Sequence, residues 1–552
     1  MNKIADENYL DLIIDSNIAR DYGPSENITK LTNRLSLLQV DASGLDECAL
    51  GRYPYHFFPA IATLNAQLNY DSSIDRVQEN PNLALFGRGV LVGVIDTGID
   101  YRHAAFRNND GTSRIYSLWD QTINEENVPP EGFFYGMEFD RGMLNAALAS
   151  PDPLAVVPSR DEIGHGTILA GMIAGNDEKA GYRGVVPEAE LVVVKMKQAK
   201  RIMRKILFVP EQAIAYQVSD IISGVNYVAS IAKKLDRPYA LCISQGSNQS
   251  HDGAGAFSSF LATLCETSRL GIAVSAGNEA GKRRHYLGKV EMGRMTEFEL
   301  RVGNADRIFS MRIYQKSPQR LVLEITSPSG QTFRNLYPQL NECRRLNFVL
   351  EQSVVWVNNI SVESQTGDQL ILVRFQNPAG GLWKFRVNTV EWEGSTFHAW
   401  LPSGDIISEE TYFVDPNPET TITDPGNVLQ PLTVANYDVK TNSIVQSSGR
   451  GPTRDGRMKP DLAAPGYELS GPVPDDDYAT ATGTGVSAAI ATGIIAMVLE
   501  WAVLRGNDTS IIGSEVSRLL VHGARQTQSI AYPNTEWGYG AIDAYGFFEK
   551  LT

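Results

Sequence analysis

The sequence predicts an α/β protein: a parallel sheet covered by helices, preceded by a small α+β unit and interrupted by an antiparallel β sandwich. Three observations predict it. Near-continuous apolar runs alternate with helical stretches between residues 87 and 280, as buried parallel strands and their crossover helices do. Short runs of period-two alternation, cut by Gly, Pro and Asn, then follow over about 150 residues. The α/β grammar resumes near residue 425.

The chain opens with the strand-like run "YLDLIID" and polar, helix-compatible sequence, closing on "HFFPAIATLNAQL". "GVLVGVIDTGID" (89–100) follows, an apolar run that ends in Asp-Thr-Gly. Further buried strands are expected at 190–196, 239–247 and 271–279, with a helix over 211–235. "MTEFELRV", "RLVLEITSPSG", "SVVWVNNISV", "QLILVRFQNPAGG" and "LWKFRVNTVEW" supply the sandwich strands. The resulting division is 1–65, 66–281, 282–424 and 425–552, the second and fourth segments forming one domain around the insertion.

Composition bounds the function. At 552 residues, 43% hydrophobic and 20% charged, the chain reads as a folded globular protein of more than one domain. A net charge of −15 argues against nucleic acid as a partner. Cys48, Cys242, Cys265 and Cys343 have neither metal-ligand spacing nor the density of a disulfide framework, so a reducing interior is expected. The first residues hold no apolar run of the kind that directs export. Residues 486–504 approach the length of a membrane span, but Glu500 within them favours a buried core helix, so no membrane span is expected.

Four separated pieces carry chemistry: "VIDTGID" with Asp96, "GHGTILAG" with His165, "SAGNE" with Asn278, and "GTGVSAAIATG" with Gly485 after "RMKPDLAAPG". In this order they resemble the subtilisin-like serine proteases, over roughly residues 85–280 and 425–545. The resemblance implies that Asp96 and His165 are the carboxylate and imidazole of a catalytic triad, in which the imidazole takes the proton of a serine hydroxyl. It implies an oxyanion donor at Asn278, whose other reading is a loop amide serving its own backbone. The family nucleophile lies in Gly-Thr-Ser-Met-Ala-Ala-Pro, and the corresponding position is Gly485. Ser487 lies about 200° further around a helix that begins there, and so is not expected to replace it. Ile168 stands where the family commonly has a second histidine, and Ile490 where it has proline.

The N-terminal unit, the β insertion and "SSGRGPTRDGRMKPDLAAPG" further resemble the Csp proteases of clostridial spores, which combine a prodomain, a subtilase domain and an inserted jelly roll. That resemblance implies a pseudoprotease of the CspC or CspA type, located in the spore and regulating germination. Its implied partners are an active Csp-type protease, a cortex-hydrolase proenzyme and a bile-salt-like small ligand. No cofactor is implied, and no carboxylate cluster has the spacing of a calcium loop. The alternative reading is an active endopeptidase of the same type with an engineered or displaced nucleophile. With Gly485, the N-terminal unit is expected to remain uncut, its closing segment lying along the substrate cleft as an added strand.

Three features outside the motifs complete the reading. The basic run Lys195, Lys197, Lys200, Arg201, Arg204 and Lys205 reads as a solvated loop, or else as a dock for an acidic partner or an anionic steroid. His103 is expected as a packed surface histidine. Trp356, Trp383, Trp392 and Trp400 are expected in the sandwich core.

Overall fold

A computed structural model describes residues 3–64, 74–124, 128–339, 342–389 and 394–550. In the N-terminal unit, β1 (Tyr9–Asp15), β2 (Ile28–Lys30) and β3 (Leu35–Asp41) form an antiparallel sheet with β3 in the centre. β1 is buried on both faces, Asp11 included, because both are covered. Leu10, Leu12 and Ile14 join one core, and Ile13 joins another with Leu37 of β3. The unit ends in β4 (Ile61–Leu64), and the sequence segment "NAQL" that follows lies outside the described residues.

Among the described residues the central sheet has nine strands, counting the short edge strand Ser443–Ile444. Its middle is parallel: β5 (Leu91–Asp96) lies between β8 (Glu190–Lys195) and β10 (Tyr239–Ile243). β6 (Ile115–Asp120) and antiparallel β7 (Met137–Asp140) extend one side. The other side continues through β12 (Leu270–Ser275), β13 (Leu432–Asp438) and β14 (Leu462–Pro465). Two short strands, β9 (Tyr216–Gln217) and β11 (Gln245–Gly246), stand outside this sheet and flank β4.

Helices α1 (His165–Ala174), α2 (Arg201–Leu207), α3 (Val218–Leu235) and α4 (Thr484–Leu499) position the site. The helix expected over 211–235 starts only at Val218, because Tyr216 and Gln217 pair with β4 instead. Every residue of α4 is buried, which is why its sequence is apolar all round. Thr484–Leu504 is long and apolar enough to cross a membrane, yet its most apolar window is 94% buried inside the fold. Glu500 is satisfied there: its carboxylate accepts from Phe86 N (3.0 Å) and Gly87 N (2.7 Å) and pairs with Arg505 at 3.2 Å.

Between His285 and Phe413 the chain forms a six-stranded and a five-stranded antiparallel sheet. Phe309, Phe375, Trp383, Phe385 and Phe397 fill their shared core, which is continuous with Leu10, Leu12 and Phe57 of the N-terminal unit. Trp383 is buried as expected, and Trp356 is half-buried under Arg345. Trp400 is buried elsewhere, stacked against His251, His285 and His398 where the insertion meets the α/β domain. Trp392 lies outside the described residues.

The structure overturns three further expectations. The basic run is not a solvated loop: Lys195, Lys197, Lys200 and Arg204 are buried, and only Arg201 and Lys205 are exposed. Lys195 pairs with Glu162 (2.9 Å), Lys197 with Asp220 (2.7 Å) and Lys200 with Asp11 of β1 (2.9 Å). Arg204 donates to the carbonyls of Ala199, Pro210 and Ala213. Buried charge demands such partners; that of Lys200 comes from the far N-terminal unit, and those of Arg204 from the chain just before and after α2. His103 is fully buried, accepting from Ala105 N at 3.0 Å through Nδ1 and meeting Asp477 O at 3.0 Å through Nε2. Cys48 and Cys343, 295 residues apart, form a disulfide, while Cys242 and Cys265 are free and buried.

Candidate active site

Parallel strands deliver side chains at their C-terminal ends, and β5 ends in Asp96. Its carboxylate is fully buried and surrounded by donors. Oδ1 takes Thr97 N at 2.8 Å and meets Nδ1 of His165 at 2.7 Å. Oδ2 takes Ser244 Oγ at 2.6 Å and Gln245 Nε2 at 2.8 Å. Burial alone would raise this carboxyl, but the neighbouring His165 charge and these hydrogen bonds hold it below the ordinary value.

His165 is the first residue of α1. Asp161 ties down the turn that launches the helix: Oδ1 accepts from Gly164 N at 2.8 Å, and Oδ2 from Thr167 N and Oγ1 at 2.8 and 2.7 Å. Gly166 brings α1 against the β5 turn, where a Cβ would come within 2.1 Å of Gly98 O. Burial opposes charging of the His165 imidazole, yet the charge and hydrogen bond of Asp96, with Asp161 beyond, raise its pKa. The ring's other nitrogen, Nε2, is buried and has no hydrogen-bond partner among the described residues.

Gly485 sits in the first turn of α4, behind Gly483 in an extended conformation with φ of 151° that favours glycine. It offers no side-chain atom to an imidazole. Ser487 does not substitute for it: its hydroxyl is fully buried and donates to Ala464 O of β14 at 3.0 Å. Asn278, just past β12, is joined to the same turn through Oδ1, which accepts from Thr484 N and Oγ1 at 3.1 Å each. That fixes the amide and leaves Nδ2 without a hydrogen bond among the described residues. Ile168 lies buried against Gly471, and Val486 and Ile490 are buried in the core.

The short strand whose Gln245 donates to the Asp96 carboxylate also binds the N-terminal unit. In β4, Ile61 and Ala62 pair with Gln217 and Tyr216 on one side, and Thr63 and Leu64 with Gly246 and Gln245 on the other. Gln245 therefore touches both the carboxylate and the strand laid beside it. Chemically, the arrangement can hold and transfer a proton at His165, and it carries an amide donor nearby. Among the described residues, it presents no hydroxyl or thiol to the imidazole.

Asp96, His165, Asn278 and Gly485 lie in the motifs that singled them out, with Asp96 and His165 in direct contact. Asp161, Ser244 and Gln245 were not singled out. An Asp four residues before His165, at a helix start, is a readable capping signal. Ser244 and Gln245 carry none.

The subtilase family profile matches residues 87–307 and 404–540. The C5a peptidase of Streptococcus pyogenes serotype M1 is 23% identical over 457 residues, covering 78% of this chain and 36% of that protein, so the chain spans about a third of that relative's length. The subtilisin-like protease SBT3 of Solanum lycopersicum is 24% identical over 511 residues, covering 86% and 62%. Among solved structures, the Clostridium perfringens CspB protease superposes with a TM-score of 0.77 at 27% identity, over 87% of this chain and 96% of that one. Two profile segments that cover 87–307 and 404–540, and a Csp protease that shares the architecture across nearly its whole length, establish that this chain belongs to the subtilase family and has the Csp type of fold.

Proposed function

We propose that this chain is a catalytically inactive subtilase that regulates spore germination by controlling an active protease of the Csp type. The observation that carries the reading is Gly485: Nε2 of His165 has no partner among the described residues, and Ser487 is committed to Ala464. The triad acts as a unit, so loss of the nucleophile removes nearly all of its rate. β4 in the cleft supports the same reading, since an added strand there competes with a peptide substrate. In this reading the N-terminal unit stays covalently joined, Asp96, His165 and Asn278 hold the cleft's shape, and the protein works by binding. Its partners are the active protease and the cortex-hydrolase proenzyme, its signal a bile-salt-like ligand, and its place the spore.

Exposure of the native protein to a fluorophosphonate tests the central claim. No adduct is expected, and intact mass of protein taken from spores should include residues 1–65. Stoichiometric labelling, or a chain shortened at its N-terminus, would favour the working endopeptidase.

A further inference from the structure

Two of the four cysteines meet where the protein's units converge. Cys48 belongs to the N-terminal unit, and Cys343 precedes the insertion strand Arg344–Phe348. Their Cα atoms are 5.6 Å apart, and both residues are half-buried, within reach of solvent. Arg374, fully buried on the insertion strand Gln369–Gln376, brings its guanidinium to the same point. It donates to Glu47 O of the N-terminal unit (2.6 Å), Ile206 O of α2 (2.8 Å) and Asn358 Oδ1 (2.8 Å). Its Nη2 lies 3.7 Å from Cys343 Sγ.

We propose that Cys48 and Cys343 form a redox-operated staple that locks the N-terminal unit, and with it β4, over the cleft. The staple closes in an oxidising medium and opens to a dithiol reductant.

The chemistry follows from Arg374. A thiolate of the dithiol attacks Cys48 Sγ, the S–S bond breaks, and its electron pair goes to Cys343 Sγ, where the guanidinium stabilises the leaving thiolate. The reductant's second thiolate then attacks the mixed disulfide and releases Cys48. Two electrons and two protons pass from the dithiol, which becomes a disulfide, to the two protein thiols. Once reduced, the N-terminal unit is tethered by the polypeptide alone and kept in place by non-covalent contacts, among them the Lys200–Asp11 pair and the shared core. A protein made in a reducing compartment would therefore carry a looser N-terminal unit than the same protein after it meets oxidant.

The test uses the full chain. Protein handled without reductant, denatured and alkylated with iodoacetamide, should take up two additions, and four after dithiothreitol. Four additions before reduction would overturn the staple. Hydrogen exchange of the native protein should then accelerate at Ile61–Leu64 by at least about threefold on adding dithiothreitol. A Cys48→Ser, Cys343→Ser variant should exchange at the reduced rate and ignore the reductant. Equal exchange in oxidised and reduced wild-type protein would overturn the lock over β4, whatever the variant does.

Discussion

Nδ1 of His165 meets Oδ1 of Asp96 at 2.7 Å, while Nε2 across the same ring is buried without a partner among the described residues. The dyad is thus assembled and braced, by Asp161 below the helix and by Ser244 and Gln245 around the carboxylate. Among the described residues, no hydroxyl or thiol bonds to Nε2.

Restoring that group should not restore a protease. In Gly485→Ser, β4 still pairs with β9 and β11, and Ile168 and Ile490 still shape the surrounding packing. Turnover of an added peptide is expected to stay at least about 100-fold below that of an active subtilase, as small misplacements of reacting groups suffice for such losses. Steady-state peptide hydrolysis decides it, and rates comparable with an active relative would count against the expectation.

Ser487 is structural. Ser487→Ala removes the hydroxyl that donates to Ala464 O, which should lower stability by about 1 kcal/mol in a urea titration. Reactivity toward a fluorophosphonate should be the same before and after the change.

The pair Lys200–Asp11 joins α2's leading turn to β1 in a site where both side chains are almost wholly buried. Lys200 also donates to the carbonyls of Lys3 and Tyr9, at 2.9 and 3.1 Å. Lys200→Met leaves Asp11 unpaired and should cost about 3–5 kcal/mol at neutral pH, with much of the loss recovered when Asp11→Leu is added. Burial already raises the Asp11 pKa despite the nearby lysines, so the deficit of Lys200→Met should shrink in acid as the carboxyl is neutralised. Chemical denaturation of the three proteins at two pH values measures both effects.

Acid should loosen the junction between insertion and α/β domain. His285 Nδ1 donates to Asn417 O, so its Nε2 accepts from Nδ1 of His398 at 2.9 Å, and His251 Nδ1 donates to Ile422 O. Burial pushes His285 down to about 4 and His398 to about 2, and lowers His251 as well. A histidine depressed in the fold stabilises it fully above the unfolded pKa and withdraws that stability as pH falls toward the folded one. For His285 this amounts to about 3 kcal/mol between pH 6.5 and 4. Asp424, raised to about 7 by burial and by Asp252, acts the other way, because its neutral form is the one the fold prefers. Arg454, paired with Asp252 and Asp368, stays charged throughout. Three depressed histidines outweigh one carboxyl, so the urea midpoint should fall between pH 6.5 and 4.5. His398→Phe, which keeps a flat ring against Trp400, should flatten the fall; an unchanged slope would remove the histidines from the explanation.

What could be read from the sequence was local. Asp96, His165, Asn278 and Gly485 each sit in a strand–turn–helix or turn–helix signature, so a few consecutive residues betray them. β1 was visible as "YLDLIID", and the burial of α4 followed from apolarity on every face. What escaped depends on partners far along the chain. Lys200 looked solvated because Asp11 lies 189 residues earlier, the difference between the two positions. Cys48 and Cys343 looked independent because only the docking of two units brings them together. Trp400 looked like sandwich core because a strand pattern marks the alternation of faces but not what each face meets.

The three-stranded arrangement of β9, β4 and β11 carries a further consequence for handling the protein. β4 covers the inward edges of two very short strands, whose backbone N–H and C=O groups would otherwise stand unpaired. Bare strand edges recruit any extended chain that reaches them. A truncated form that begins after Leu64 would expose a slot for foreign strands, and such preparations should self-associate or aggregate where the full chain stays dispersed.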